Sequence, residues 1–351
     1  MGPVVLGKAL RRSLEQIRYV APVRFSAAQG LTRAVYRQVE REFGMLAPPV
    51  VLHSPAPAVM AASWVVLRET MIASWRSPRS AKEVVASTVS VNNACPYCVA
   101  VHGATLHGLL RGPTALAISE RRFEDLPDPG LRAIAEWIRT GLPPRERPLP
   151  PDQAPELIGV AVAFEYFNRV VNIFLDDSPL PPHVPDRLRG TMLRLLSALM
   201  RRPAGRHREP GASLELLPAV EPAPDLTWAD SAPHIADAFA RATAVVDLAG
   251  ERSVPGSVRR LVASRLADWD GTPPGLSREW LDEATAGLPS ADRAAGRFAL
   301  LTAFASHQVS PSDISALTST GVGDRGLVEI AAWAALTAAT SRLTSITASY
   351  R

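Results

Sequence analysis

The chain has 351 residues, with 38 Lys plus Arg against 34 Asp plus Glu, a formal net charge of +4, and 47% hydrophobic residues. That content supports one or two packed domains, and it excludes a disordered chain, a disulfide-stapled miniature and a strongly polybasic nucleic-acid binder. The pI of about 9.4 comes from a small surplus of Arg, which does not titrate.

The opening, MGPVVLGKALRRSLEQIRYV, meets Arg11 and Arg12 before an apolar core long enough for a secretory leader develops. No run reaches the roughly 18 apolar residues of a membrane span. A cytoplasmic protein with no membrane or nucleic-acid partner is expected. Apolar periodicity predicts helices over 5–20, 26–43, 57–74, 80–91, 95–110, 130–140, 153–175 and 186–201. A second set follows over 231–249, 255–268, 277–286, 291–305, 311–319 and 324–345. The prolines cluster between these stretches, and no alternating strand with a hairpin turn appears. The expected class is all-α. Trp64, Trp75 and Trp137 read as core, and Arg68 with Glu69 as a solvated face. The amphipathic segment at 186–201 carries Leu188, Met192, Leu195, Leu196 and Leu199 at helical spacing, with Arg on other positions. Packing on its own domain is expected ahead of a membrane-surface or nucleic-acid role.

Comparison of the chain with itself aligns EVVAS at 83–87 with RLVAS at 260–264. It also sets PELIGVAVAFEYFNRVVN, from 155, beside VEIAAWAALTAATSRLTS, so that Glu156 faces Glu329. The expected organisation is an N-terminal helical extension at 1–40, a first unit at 41–202, a linker at 203–229 and a second unit at 230–351. Opposite Glu83, Cys95, Cys98 and His102 the second unit has Arg260, Thr272, Gly275 and Glu279, so its copy of the chemistry is gone.

The chemistry concentrates in NNACPYCVAVHGATLHG at 92–108, which holds the only two cysteines. Asn92 and Asn93 break one helix, and Pro96 suits the first turn of the next. Both thiols then sit at a positive helix end, which favours thiolate. Cys98 and His102 share a helix face, about 40° apart, whereas His107 points to the other side. Glu83 on the preceding helix is placed to orient the imidazole, the third member that nucleophile–base pairs use. A zinc site is the competing reading, but Cys95, Cys98 and His102 supply three ligands, and closed structural sites take four. Glu165, Tyr166, Asn168 and Arg169, in an apolar helix, read as buried polar contacts at least as readily as site residues.

Glu83, Cys95, Cys98 and His102 at this spacing, followed by ELIGVAVAFEYFNRVVN, resemble the alkylhydroperoxidase D-like branch of the carboxymuconolactone decarboxylase superfamily. The resemblance covers about 40–176, with 230–346 as a weaker second copy. It implies an all-α helical bundle and a thiol peroxidase with Cys98 peroxidatic and Cys95 resolving. His102 and Glu83 would relay protons, and the Cys95–Cys98 disulfide would serve in place of a cofactor. A dithiol, lipoyl or thioredoxin-like reductant and a homo-oligomer are implied too. The family's founding type has a histidine immediately before the second cysteine; here Tyr97 stands there and is expected to line the site. The alternatives are a non-enzymatic zinc-binding or redox-sensing protein, or a family member with a diverged small-molecule activity.

Overall fold

The computed structural model describes residues 12–110, 112–140, 150–180 and 184–348. Among them the chain is all-α, and its one departure is an isolated antiparallel bridge between Ile17 and Leu175. That bridge ends the first predicted helix early: Arg12–Gln16 is a 3₁₀ turn, and Arg18 N–H then donates to Phe174 O at 2.8 Å. Residues 5–11 of that prediction lie outside the described residues.

The first half contributes α1 (Gly30–Phe43), α2 (Pro57–Leu67), α3 (Arg79–Asn92), α4 (Pro96–Leu109), α5 (Thr114–Ser119), α6 (Pro129–Thr140), α7 (Ala154–Phe174) and α8 (Asp186–Ala204). The second contributes α9 (Pro233–Ser253), α10 (Gly256–Ala267), α11 (Glu279–Thr285), α12 (Arg293–Phe304), α13 (Pro311–Thr318) and α14 (Asp324–Ala348). Proline opens α2, α4, α7 and α9 within the first two positions, where its missing N–H breaks no helical bond.

Helix α7 is the axis of the molecule. It is apolar almost all round because it is covered almost all round, with α3 on one side and α14 on another. By length and composition it could cross a membrane, contrary to the expectation that no segment would. The cause is core packing: 94% of its most apolar window is buried inside the protein. One apolar cluster runs through both halves. It includes Trp64 and Trp137, as expected, whereas Trp75 is exposed.

The predicted helix at 57–74 changes character partway. After Leu67 the chain passes into a π turn at Arg68–Ile72, and Arg68 and Glu69 are buried instead of solvated. Arg68 pairs with Glu42 at 3.2 Å and Glu69 at 2.9 Å. Glu69 in turn accepts the backbone N–H of Gly211 at 2.6 Å and of Ser213 at 3.0 Å. The stretch after α8 is thereby fastened to the first half, since a buried carboxylate needs its acceptor sites filled.

The two glutamates that self-comparison aligns have similar surroundings. Glu156, in the first turn of α7, accepts the N–H groups of Arg76 and Ser77 at 2.7 and 2.6 Å and pairs with Lys82 at 2.5 Å. Glu329, in α14, pairs with Arg252 at 2.6 Å and Arg325 at 2.8 Å and accepts the hydroxyl of Ser253. Each holds the connection that leads into the following helix, α3 in one case and α10 in the other.

Candidate active site

Helices α3 and α4 meet at a tight corner. Asn93 caps the end of α3, Ala94 takes a left-handed φ of +48°, and Cys95 is itself the residue preceding the first turn of α4. Cys95, and neither asparagine, is thus the N-cap of α4. The side chain of Asn93 turns instead to α7, donating to Glu165 Oε2 at 3.1 Å and to Asn168 Oδ1 at 3.3 Å. Cys95 N–H closes the corner on Ser90 O at 2.9 Å.

Cys98 faces a mostly apolar, partly open cavity of about 110 Å³. Tyr97, Val101, His102 and Thr105 of α4 share its wall with Arg79 and Glu83 of α3 and Phe164 and Phe167 of α7. Leu196 and Met200 of α8 close another side, which answers the sequence question about that helix. It lies on α4, close enough that a Cβ on Gly108 would sit 3.0 Å from Ser197 O.

Four of the five residues singled out by sequence thus share one cavity. Cys95 is next to it but not in its wall. Both cysteines are free and buried, Cys95 0% and Cys98 3% exposed. Cys95 is therefore the less accessible of the two thiols. His107 lies exposed in the last turn of α4, away from the cavity.

Electrostatics give the wall a defined protonation pattern. Glu83 is fully buried, and burial alone would push its carboxyl up; Arg79 and His102 overcome this and hold it below the usual carboxylate range. Arg79 Nε donates to Glu83 Oε1 at 2.8 Å, and His102 Nδ1 lies 2.7 Å from Glu83 Oε2. An ionised carboxylate only accepts, so the proton of that contact sits on Nδ1 and a neutral ring keeps Nε2 as its free acceptor. The edge of the imidazole packs on the Phe164 ring, centroids 4.5 Å apart, which limits its rotation.

The thiol is the surprise. The helix end was expected to favour thiolate, but burial pushes Cys98 well up from its ordinary range, and a hydrogen bond with Cys95 acts in the same direction. The Asn168 amide pulls the other way without prevailing. Burial likewise pushes the Tyr97 phenol up, so its hydroxyl keeps its proton. Burial thus favours the neutral thiol at Cys98, which then needs a base, and His102 is four residues along the same face. Among the described residues no three of His, Cys, Asp and Glu converge as a metal would require.

Sequence reasoning missed Arg79, although an Arg four residues before a buried Glu on one helix is a readable pairing signal. It left open Glu165, Asn168 and Arg169 and missed Asn172, although the spacing puts all four on one face of an apolar helix.

No protein-family model matches the chain. A Mycobacterium tuberculosis protein named alkyl hydroperoxide reductase is 35% identical to it over 324 residues, covering 92% of this chain and 93% of that one. Agreement of that depth along nearly the whole of both chains is the mark of common descent, and the chain belongs to the alkylhydroperoxidase-like family.

Proposed function

We propose that the protein is a thiol-dependent hydroperoxide reductase, with Cys98 as the attacking thiol, Cys95 as the resolving thiol, and His102 with Glu83 as the proton relay. The observation that carries this reading is the placement of Cys98 in the wall of a mostly apolar cavity that also holds the His102–Glu83 pair. The relative's name points to the same substrate class.

The steps balance as follows. His102 Nε2 takes the Cys98 proton, and Glu83 steadies the imidazolium that results. The thiolate attacks the terminal oxygen of the hydroperoxide; an S–O bond forms, the O–O bond breaks, and the leaving alkoxide takes the proton back from His102. Cys98 is then a sulfenic acid. Cys95 passes its proton to the emptied relay and attacks the Cys98 sulfur as thiolate; an S–S bond forms, the S–O bond breaks, and hydroxide takes that proton and leaves as water. A dithiol of lipoyl or thioredoxin type restores both thiols by exchange and is itself oxidised to a disulfide. Tyr97 keeps its proton throughout and contributes a hydrogen-bond donor to the wall.

The test follows hydroperoxide consumption with a dithiol donor in wild type, Cys98→Ser and Cys95→Ser. Cys98→Ser should be inactive, and Cys95→Ser should consume about one equivalent and stop as a sulfenic acid visible by mass. Continued turnover by Cys98→Ser rules out the assignment.

A further inference from the structure

Cys95 reaches Cys98 only because the corner between α3 and α4 holds an unfavourable shape. Ala94 is not glycine, yet it sits at φ +48°. A left-handed alanine is unfavourable and persists only where its surroundings enforce it.

Beyond the backbone bond from Cys95 to Ser90, the side-chain contacts to Asn93 come from one face of α7. Asn172 Nδ2 donates to Asn93 O at 3.1 Å, and Glu165 and Asn168 accept from the Asn93 side chain. Asn168 also donates to Ser90 Oγ at 3.1 Å, on the α3 side of the corner. Glu165 is held in turn by Arg169 NH1 at 2.5 Å. Ser90, Glu165, Asn168 and Arg169 are buried and Asn93 and Asn172 half-buried, so their hydrogen bonds leave few alternative arrangements.

The far end of the chain of contacts lies in the second half of the molecule. Arg169 Nε donates to Ala303 O at 3.0 Å, at the end of α12, and Asn172 Nδ2 also donates to Ser306 Oγ at 3.1 Å, just beyond it. The half that has no cysteines therefore grips, through two side chains of α7, the corner that presents Cys95.

We propose that Arg169 is a positioning residue for the cysteine pair: anchored on the second half at Ala303, it fixes Glu165 and Asn93 and so holds Cys95 where it can close on Cys98. The role rests on the Cys95–Cys98 chemistry proposed above. The substrate cavity does not include Arg169. Its effect falls on disulfide closure and not on hydroperoxide binding.

The test reads closure directly, with no hydroperoxide present. Wild type, Arg169→Met, Arg169→Lys and Ser306→Ala are equilibrated in graded mixtures of reduced and oxidised dithiothreitol, alkylated and weighed intact. Unfolding curves accompany each protein. In Arg169→Met the equilibrium constant for closing the disulfide should fall at least tenfold, about 30 mV for a two-electron couple. Arg169→Lys should recover part of that loss, because an ammonium can pair with Glu165 without also spanning to Ala303 O. Ser306→Ala, which removes one hydroxyl outside the cavity, should fall between Lys and wild type. It carries the test if Arg169→Met does not fold. Constants within threefold of wild type in every folded variant overturn the positioning role and leave the proposed function standing. A wild-type pair that never closes overturns both.

Discussion

Two histidines, His53 buried and His102 half-buried, do opposite work at the scale of single residues. His53 accepts the hydroxyl of Tyr166 on Nε2 at 2.7 Å, and burial pushes it down to about 4. The unfolded chain binds that proton near the ordinary value of 6.5, so between those values the unfolded state holds more protons than the folded one. Stability should therefore fall as pH drops from 6.5 towards 4, at up to about 1.4 kcal/mol per pH unit. Urea titrations at pH 7 and pH 5 measure the slope, and His53→Gln, which keeps the acceptor for Tyr166, should flatten it. Glu83 acts lower. Its folded pKa lies below the ordinary 4.5, so its stabilisation is complete above that value and is lost as pH falls through the depressed one. His102, by contrast, is placed for proton transfer. His102→Asn should slow Cys98 oxidation by about 10²–10⁴-fold, the usual weight of a positioned general base, with little change in unfolding temperature. An unchanged rate would remove His102 from the relay.

Among elements, α8 is the one whose place most affects the site. It supplies Leu196 and Met200 to the cavity wall and rests on α4 at Gly108. Gly108→Val would push its side chain against Ser197 O and lift α8, exposing Cys98. The variant should react faster than wild type with a bulky aromatic disulfide reagent at pH 8, where an unchanged rate would show that α8 does not control access. The sequence shows α8 as amphipathic but not what it covers, because periodicity identifies a buried face without naming its partner. The same limit explains the rest. Helix α7 was legible from its apolar run, and the Glu83–His102 contact from spacing. The π turn after Leu67 was not, since Arg68 and Glu69 look solvated until Glu42 and the Gly211–Ser213 stretch arrive from distant parts of the chain. The helix-end argument for an ionised thiol was correct in geometry and wrong in outcome, because burial, which sequence does not show, outweighs it at Cys98.

Across the whole molecule, the two aligned glutamates offer a comparison of the halves. Lys82 is buried, 2% exposed, and burial pushes its ammonium down while Glu156 counters. Glu156→Ala leaves that charge unpaired and should destabilise the protein by about 3–5 kcal/mol. The partners of Glu329, Arg252 and Arg325, are 47% and 60% exposed and can turn to water. Glu329→Ala should therefore cost only about 1 kcal/mol. Equal losses in thermal unfolding would mean that the two carboxylates are equivalent in energy as well as in place.

The small volume of the cavity has a chemical consequence for survival under oxidant. About 110 Å³ is well below the roughly 300–1,000 Å³ of pockets that hold drug-sized ligands, so the space beside Cys98 admits one small guest at a time. A newly formed sulfenic acid at Cys98 would share it with the departing alcohol, and a second hydroperoxide would find no room beside them. Irreversible passage to the sulfinic acid should then be rare while α8 is seated. In millimolar hydroperoxide the wild type should show little mass gain beyond the disulfide, whereas Gly108→Val should accumulate the two-oxygen adduct.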